Sequence, residues 1–247
     1  MAETGPIRTM GAGVRTAQID EGLRAHMNKV YGTMSVGLFL TAAVAWAAGN
    51  SEAVVMQLFA TPLRWVIMFA PLIMIFAFGA LINKMSSAAA QLFFYVFSAV
   101  MGLSISWIFV AYTDFSIAQT FLITAVAFAG LSLWGYTTKK DISGWGSFLI
   151  MGVIGLVIAS VVNLILPMFI AGYDPSGMMF AISVLGVLIF AGLTAYDTQN
   201  IKNTYIAHAA HGDQEWLGKA AIMGALSLYL DFINMFMFLL SLLGGRE

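Results

Sequence analysis

The chain has 247 residues, of which 60% are hydrophobic and only 9% are charged. Soluble domains carry about 25% charged residues, so this composition indicates a polytopic membrane protein instead. The formal net charge of −1 argues against a nucleic-acid partner, because such a partner requires a basic face. The chain contains no cysteine and therefore offers no disulfide, thiol nucleophile or thiolate metal site.

The first 29 residues are a polar, amphipathic segment that precedes the first long apolar run. They contain no apolar core of signal-peptide length, so we expect the first spanning helix to act as an uncleaved anchor. Ile19, Leu23 and Met27 recur every four residues with charged side chains between them. This pattern is typical of a short helix lying on the membrane surface, and a solvated amphipathic lead-in fits it equally well.

The remainder, residues 30–247, is predicted to be an all-α bundle of seven transmembrane helices. The predicted spans are 30–48, 63–82, 89–112, 117–136, 147–167, 178–198 and 220–243. Each is long enough to cross roughly 30 Å of hydrocarbon. Pro71 is expected to kink the second span, and Pro167 is expected to end the fifth.

Lysine and arginine predict the orientation. With the N-terminus in the cytoplasm, that side carries nine basic residues and the opposite side carries Arg64 and Arg246. The nine are Arg8, Arg15, Arg24, Lys29, Lys84, Lys139, Lys140, Lys202 and Lys219. The positive-inside rule therefore places the N-terminus in the cytoplasm and the C-terminus outside.

Two aspartates lie in or against the last two apolar segments, Asp197 in LIFAGLTAYDTQNIK and Asp231 in GALSLYLDFINMFMFLL. A charge at a helix centre costs roughly 2.5–3.5 kcal/mol on insertion scales, so such residues need partners and often mark function. Asp197 lies near the predicted cytoplasmic end of its helix, and Asp231 lies deeper. The two can meet only if the helices are offset or the sixth continues past residue 198.

Polar residues accompany both aspartates at helical spacings of three and four, which places one polar stripe on each helix. The supporting residues are Thr194, Asn200 and Thr204 on the sixth helix, and Ser227, Asn234 and Ser241 on the seventh. A polar stripe faces protein or water, so the seventh helix is predicted to lie in the centre of the bundle.

If Asp197 and Asp231 meet, they are expected to share one proton, because two carboxylates in a low dielectric cannot both stay ionised cheaply. Loss of that proton would leave two charges that repel one another or attract a basic partner or a hard cation. The pair could contact calcium transiently, although two carboxylates make only a partial calcium site. The functional interpretation is a proton-sensitive gate on a cation path. The alternative is a pair of satisfied polar anchors between two helices.

Three other polar features fit structural interpretations better. Lys84, at the cytoplasmic end of the second helix, could reach the aspartates but is also an ordinary flanking lysine that snorkels to the headgroups. Asn163 is more typical of an interhelical hydrogen bond than of a site. His208 and His211 form a His-x-x-His pattern in a polar stretch, which is weak evidence for a metal site and favours a solvated loop.

The sequence resembles the Bax inhibitor-1 family, also called TMBIM or YccA-like proteins. The resembling stretches are HMNKVYGTMSVGL, GLSLWGYTTKKDISGWGSFL, AYDTQNIK and LSLYLDFINMF. The resemblance implies a central seventh helix and makes Asp197 and Asp231 the family's paired aspartates, which respond to pH and gate a calcium leak. It also implies a basic latch, at Lys84 by position. Where relatives have arginine this chain has lysine, which cannot make a bidentate contact.

The expected function is therefore a pH-sensitive calcium leak channel in a bacterial inner membrane, with calcium as permeant ion and no cofactor. The alternative, from the same resemblance, is a regulatory protein that binds the FtsH membrane protease. Residues 1–29 would then be the segment that contacts the protease. An intramembrane aspartyl protease is disfavoured because Leu-Tyr-Leu precedes Asp231 where those enzymes have Gly-x-Gly, and their Pro-Ala-Leu motif is missing. We therefore expect the chain not to be an enzyme.

Overall fold

The computed structural model describes residues 7–209 and 213–245, apart from the side chains of residues 7–18 and Glu52. Within these residues the chain forms helices and no strand. The helices are α1 (Ile7–Gly49), α2 (Glu52–Phe59), α3 (Leu63–Leu81), α4 (Ser87–Ile105), α5 (Ile108–Ala111), α6 (Asp114–Thr137), α7 (Trp145–Phe169), α8 (Ser176–His208) and α9 (Gln214–Leu243).

Seven segments of the described chain are long and apolar enough to cross a membrane, which confirms the predicted number and order of spans. The third span consists of α4 and the single turn α5, separated at Ser106 and Trp107. Pro71 lies inside α3, which continues on both sides of it. Helix α7 runs two residues past Pro167 and ends at Phe169, within the usual uncertainty of a helix boundary.

Helix α9, the seventh span, is the centre of the bundle, as predicted. Half of its most apolar stretch is buried, a larger share than in the other candidate spans, and it packs against α1, α4, α6 and α8. Tyr229 on α9 is fully buried, with its ring edge-on to Phe94 and Phe97 of α4. Its hydroxyl lies 2.6 Å from the Thr41 hydroxyl of α1. The contacts of Tyr229 thus join α9 to α1 and α4.

The amphipathic stretch 17–29 is not a separate surface helix, which corrects that interpretation. Helix α1 runs without a break through this stretch into the first span. Leu23 and Met27 are buried in the same core cluster as Val30, so their spacing packs them against the bundle instead of placing them in lipid headgroups. Residues 1–6 of the predicted N-terminal segment lie outside the described residues.

The loop before α8 contains a carboxylate whose interactions predict a pH effect. The Asp174 carboxylate accepts hydrogen bonds from the Ser176 backbone N–H at 2.9 Å and the Ser176 hydroxyl at 2.7 Å. These bonds hold the pKa of Asp174 below its ordinary value. A depressed folded-state pKa gives stability that is present above about pH 4, the unfolded-state value, and lost as the pH falls through the folded-state pKa.

Asp174→Ala should therefore lower the unfolding temperature slightly at neutral pH and have a smaller effect in acid, where wild type has also lost this contribution. Thermal unfolding of the detergent-solubilised protein over a pH series measures the difference. Equal destabilisation across the series would contradict the assignment.

Candidate functional site

Helices α8 and α9 bring the two aspartates together. Helix α8 continues past residue 198 to His208, so Asp197 lies well inside a long helix. The two helices approach closely at Gly224, where an added Cβ would lie 2.9 Å from the Ile201 side chain. The carboxyl groups of Asp197 and Asp231 lie within hydrogen-bonding distance of one another. The geometric condition stated from the sequence is met by the continuation of α8.

The two carboxyl groups have different surroundings. Asp231 is 4% exposed, whereas Asp197 is half-buried. Asp231 Oδ2 is buried, and no donor of the described residues hydrogen-bonds to it. An ionised group left in this state would carry a large desolvation cost. A proton held between the two carboxyl groups satisfies the pair, so the geometry suits proton sharing.

A cavity of about 350 Å³ lies beside Asp197. Its walls come from α1, the end of α3, α8 and α9, and Asp197 is part of its lining. Its other polar lining residues are His26, Asn83, Asn200, Thr204, Lys219 and Ser227. The cavity gives the half-buried carboxyl a polar approach, while Asp231 lies behind it in the packed core.

The supporting residues predicted from the stripes fall into two groups. Asn200 and Ser227 line the cavity together with Asp197. Thr194 is fully buried and its hydroxyl donates to the Phe190 carbonyl at 2.8 Å. The Asn234 amide donates to the Leu230 carbonyl at 2.8 Å. Thr194 and Asn234 thus have partners within their own helices, whereas Asn200 and Ser227 face the same cavity as Asp197.

Two lysines differ in their position relative to the cavity. Lys84 is exposed and lies outside the lining of the cavity, so its role as a latch stays a prediction. Lys219 on α9 is half-buried and does line the cavity. Lys219, Met223 and Ser227 follow one another at four-residue spacing, and all three line the cavity. Extending the α9 stripe by two turns towards its N-terminus would have found Lys219.

His26 is a second cavity residue that the sequence reasoning missed. It is 8% exposed on α1, and its ring centroid lies 4.9 Å from that of Tyr205 on α8. His26 lies three residues after Leu23 and four before Val30, both of which are buried. The signal that could have found it is this buried stripe of α1, whose spacing also fits a surface helix.

Several residues of the AYDTQNIK stretch anchor α8 to the neighbouring segment. The Gln199 amide donates to the Lys140 carbonyl at 2.8 Å, and its carbonyl oxygen accepts from the Ile142 backbone N–H at 2.9 Å. Lys202 donates to the Tyr136 carbonyl at the end of α6, also at 2.8 Å. These contacts fix the residues that follow Asp197, so this part of the stretch holds the helix that carries the carboxyl group.

Asn163 makes structural hydrogen bonds, as expected, but to the connection between α7 and α8 instead of to another helix. Its amide donates to the Pro175 carbonyl at 3.3 Å, and its carbonyl oxygen accepts from the Tyr173 hydroxyl at 2.8 Å. His208 is the last residue of α8 and stacks on Trp216 with ring centroids 4.1 Å apart. His211, the other half of the weak His-x-x-His pattern, lies outside the described residues.

The fold and the site define a multi-pass α-helical membrane protein whose central helix carries one member of a buried carboxyl pair. The family model described as "Inhibitor of apoptosis-promoting Bax1" matches residues 23–247. The chain therefore belongs to the Bax inhibitor-1 family, which confirms the resemblance drawn from its four stretches.

Bacterial relatives match nearly the whole chain. The inner membrane protein YbhL of Escherichia coli (strain K12) is 45% identical over 227 residues, which cover 92% of this chain and 94% of YbhL. An uncharacterized protein of Caulobacter vibrioides is 42% identical over 252 residues, covering 98% of this chain and 97% of that protein. The uncharacterized protein RP147 of Rickettsia prowazekii is 40% identical over 240 residues, covering 97% and 98%. With seven helices long and apolar enough to cross a membrane, the chain is a multi-pass membrane protein, like the E. coli inner membrane protein YbhL to which it is similar.

Proposed function

We propose that the protein is a passive, pH-sensitive calcium leak channel gated by the Asp197–Asp231 pair. The observation that carries this proposal is the buried Oδ2 of Asp231, which has no donor among the described residues and belongs to a carboxyl group within hydrogen-bonding distance of Asp197. Helix anchors are normally fully hydrogen-bonded, because an unsatisfied polar group is costly in a membrane. A carboxyl pair completed by one proton instead has a state that changes when the proton leaves.

The proposed gate has two states. In the protonated state the shared proton joins α8 to α9 and the path is closed. When the proton leaves through the cavity beside Asp197, two negative charges face each other in a low dielectric and favour separation of the helices or entry of a cation. Calcium prefers oxygen ligands, and Asn200, Thr204 and Ser227 add neutral oxygens near the carboxylates for a transient contact.

Charged and titratable groups on the surrounding helices tune this gate. His26 of α1 and Lys219 of α9 line the same cavity as Asp197, and the Tyr205 ring of α8 lies tilted against the His26 ring. A cation near Asp197 favours its ionised form and competes with calcium for it. Lys219 lines the cavity together with Asp197, which supports this role for it, whereas Lys84 lies outside that lining.

Reconstitution tests the proposal. Purified protein in liposomes that contain a calcium-sensitive dye should give calcium entry that varies with pH and exceeds that of protein-free vesicles. Asp197→Asn should alter the dependence on pH, since it removes the member of the pair that faces the cavity. The channel proposal would be wrong if calcium flux equalled that of protein-free vesicles. It would also be wrong if neither Asp197→Asn nor Asp231→Asn changed the flux.

The same experiment separates the other roles. A protein that only modulates an FtsH-type protease would give no flux, and protease activity would then be the readout. The proposed channel needs no catalytic step at the pair. Peptide cleavage that disappears in Asp231→Ala would favour an aspartyl protease instead.

A further inference from the structure

A second cavity lies between α1 and α6, apart from the one beside Asp197. Its volume is about 550 Å³, which is in the range of ligand pockets. Arg24, Asn28 and Tyr31 line it from α1, and Phe128, Leu133 and Tyr136 line it from α6. Arg24, Asn28 and Leu133 are exposed, so this groove opens on the outside of the bundle.

The groove changes from polar to apolar along its length. Arg24 and Asn28 lie at the end nearest the N-terminal part of α1, and Tyr136 lies near the end of α6, just before Lys139 and Lys140. Phe128 lies eight residues before Tyr136, roughly 12 Å deeper at 1.5 Å per residue. One end is therefore cationic and at the predicted cytoplasmic surface, and the other end lies in the hydrocarbon.

Two hydroxyl groups in the deep wall of the groove, those of Tyr31 and Ser132, already have partners. The Tyr31 hydroxyl lies 2.6 Å from the Ser132 hydroxyl, which in turn lies 3.0 Å from the Thr198 hydroxyl of α8. The Tyr136 carbonyl accepts from Lys202. Since these groups are satisfied, the deep part of the groove suits an apolar occupant, while the arginine at its opening suits an anion.

We propose that this groove binds one anionic glycerophospholipid, with its phosphate at Arg24 and Asn28 and an acyl chain along Phe128 and Leu133. A lipid fits because the groove opens into the bilayer and matches a charged head joined to an apolar tail. Arginine forms charge-assisted hydrogen bonds to phosphate oxygens, and the asparagine amide adds a further donor. The site needs no ion path and is independent of the proposed channel.

Lipid binding to the purified full-length protein tests the proposal. The probes are phosphatidylglycerol and phosphatidylcholine with identical acyl chains, added to protein in mild detergent and measured by native mass spectrometry. Arg24→Gln removes the cation, and Ala129→Phe fills the groove at an exposed lining position. Lys139→Gln is the matched control, since Lys139 is an exposed cation nearby that does not line the groove.

Wild type should bind phosphatidylglycerol more tightly than phosphatidylcholine. Arg24→Gln should weaken phosphatidylglycerol binding about fivefold, the effect of one cation on an anionic lipid, and weaken phosphatidylcholine binding less, because the choline cation offsets the charge of its phosphate. Ala129→Phe should weaken both, and Lys139→Gln should weaken neither. Equal binding of the two lipids by wild type, or equal losses in Arg24→Gln and Lys139→Gln, would overturn the site in favour of diffuse surface charge. Unchanged binding in Ala129→Phe would also overturn it.

Discussion

Asp231→Asn should remove most of the pH dependence of calcium flux through the reconstituted protein. The asparagine amide has nearly the shape of the carboxyl group but does not titrate, so the pair loses its shared proton. Since two carboxyl groups in a low dielectric can share a proton and a lone carboxyl group cannot, the pH-dependent change in flux should fall to a small fraction of the wild-type change. The measurement is the initial rate of calcium entry into dye-loaded proteoliposomes over a pH series.

Asp213→Asn is the matched control for this prediction. Asp213 is an exposed aspartate that caps the N-terminus of α9, where its Oδ1 accepts from the Trp216 backbone N–H at 3.0 Å. Asparagine caps helices as well as aspartate does, so the substitution removes a carboxylate without removing the cap. The control should keep the wild-type pH profile. If both variants change the profile alike, or neither does, the buried pair is not the sensor.

The carboxyl pair could be anticipated because its signal is local to each helix. Asp231 lies in an apolar segment with Ser227 and Asn234 at helical spacing, and this pattern predicts both a central helix and an inward-facing carboxyl group. The position of Asp197 well inside its helix could not be predicted from the sequence in the same way. The apolar run of the sixth span ends near residue 198, but the helix continues to His208 because Gln199 and Lys202 find backbone partners on the neighbouring segment.

For the same reason, hydropathy does not show that the N-terminal part of α1 belongs to the bundle. The apolar run begins later in the chain than the buried part of the helix. Leu23, His26 and Met27 precede the apolar run, and hydropathy alone therefore predicts that they lie outside the bundle. In the structure they are buried in the bundle. Hydropathy records which residues tolerate lipid, whereas these residues contact protein. Deleting residues 1–29 to test protease binding would therefore remove part of the core, and a shorter deletion that spares Leu23 is required.

Whether Lys84 or Lys219 lies near the carboxyl pair depends on tertiary packing, which cannot be derived from the sequence pattern. Both flank spans on the predicted cytoplasmic side, and the resemblance favoured Lys84 by position. The cavity is bounded by the face of α9 that carries Lys219 and Ser227. Which lysine lies near the pair is decided by how α9 is rotated against α8.

Gly135→Ala should destabilise the protein by about 1–3 kcal/mol, the usual cost of overpacking a well-packed core. Gly135 is buried on α6, and an added Cβ would meet the backbone carbonyl oxygen of Ala195 on α8. A helix backbone cannot turn aside as a flexible side chain can, so α6 and α8 must separate. The check is thermal unfolding of the purified protein in detergent, followed by tryptophan fluorescence.

Gly130→Ala on the same helix is the control, and the two substitutions should have opposite signs. An added Cβ at Gly130 meets nothing within 4 Å. There alanine should stabilise the helix by about 0.5–1 kcal/mol, because glycine loses more backbone entropy on folding.

Separation of α6 from α8 in Gly135→Ala would also strain the hydrogen bond between Ser132 and Thr198, which is 3.0 Å long and adjoins Asp197. The variant should therefore change calcium flux as well as stability, whereas equal effects of both substitutions would show that α6 and α8 do not pack through Gly135.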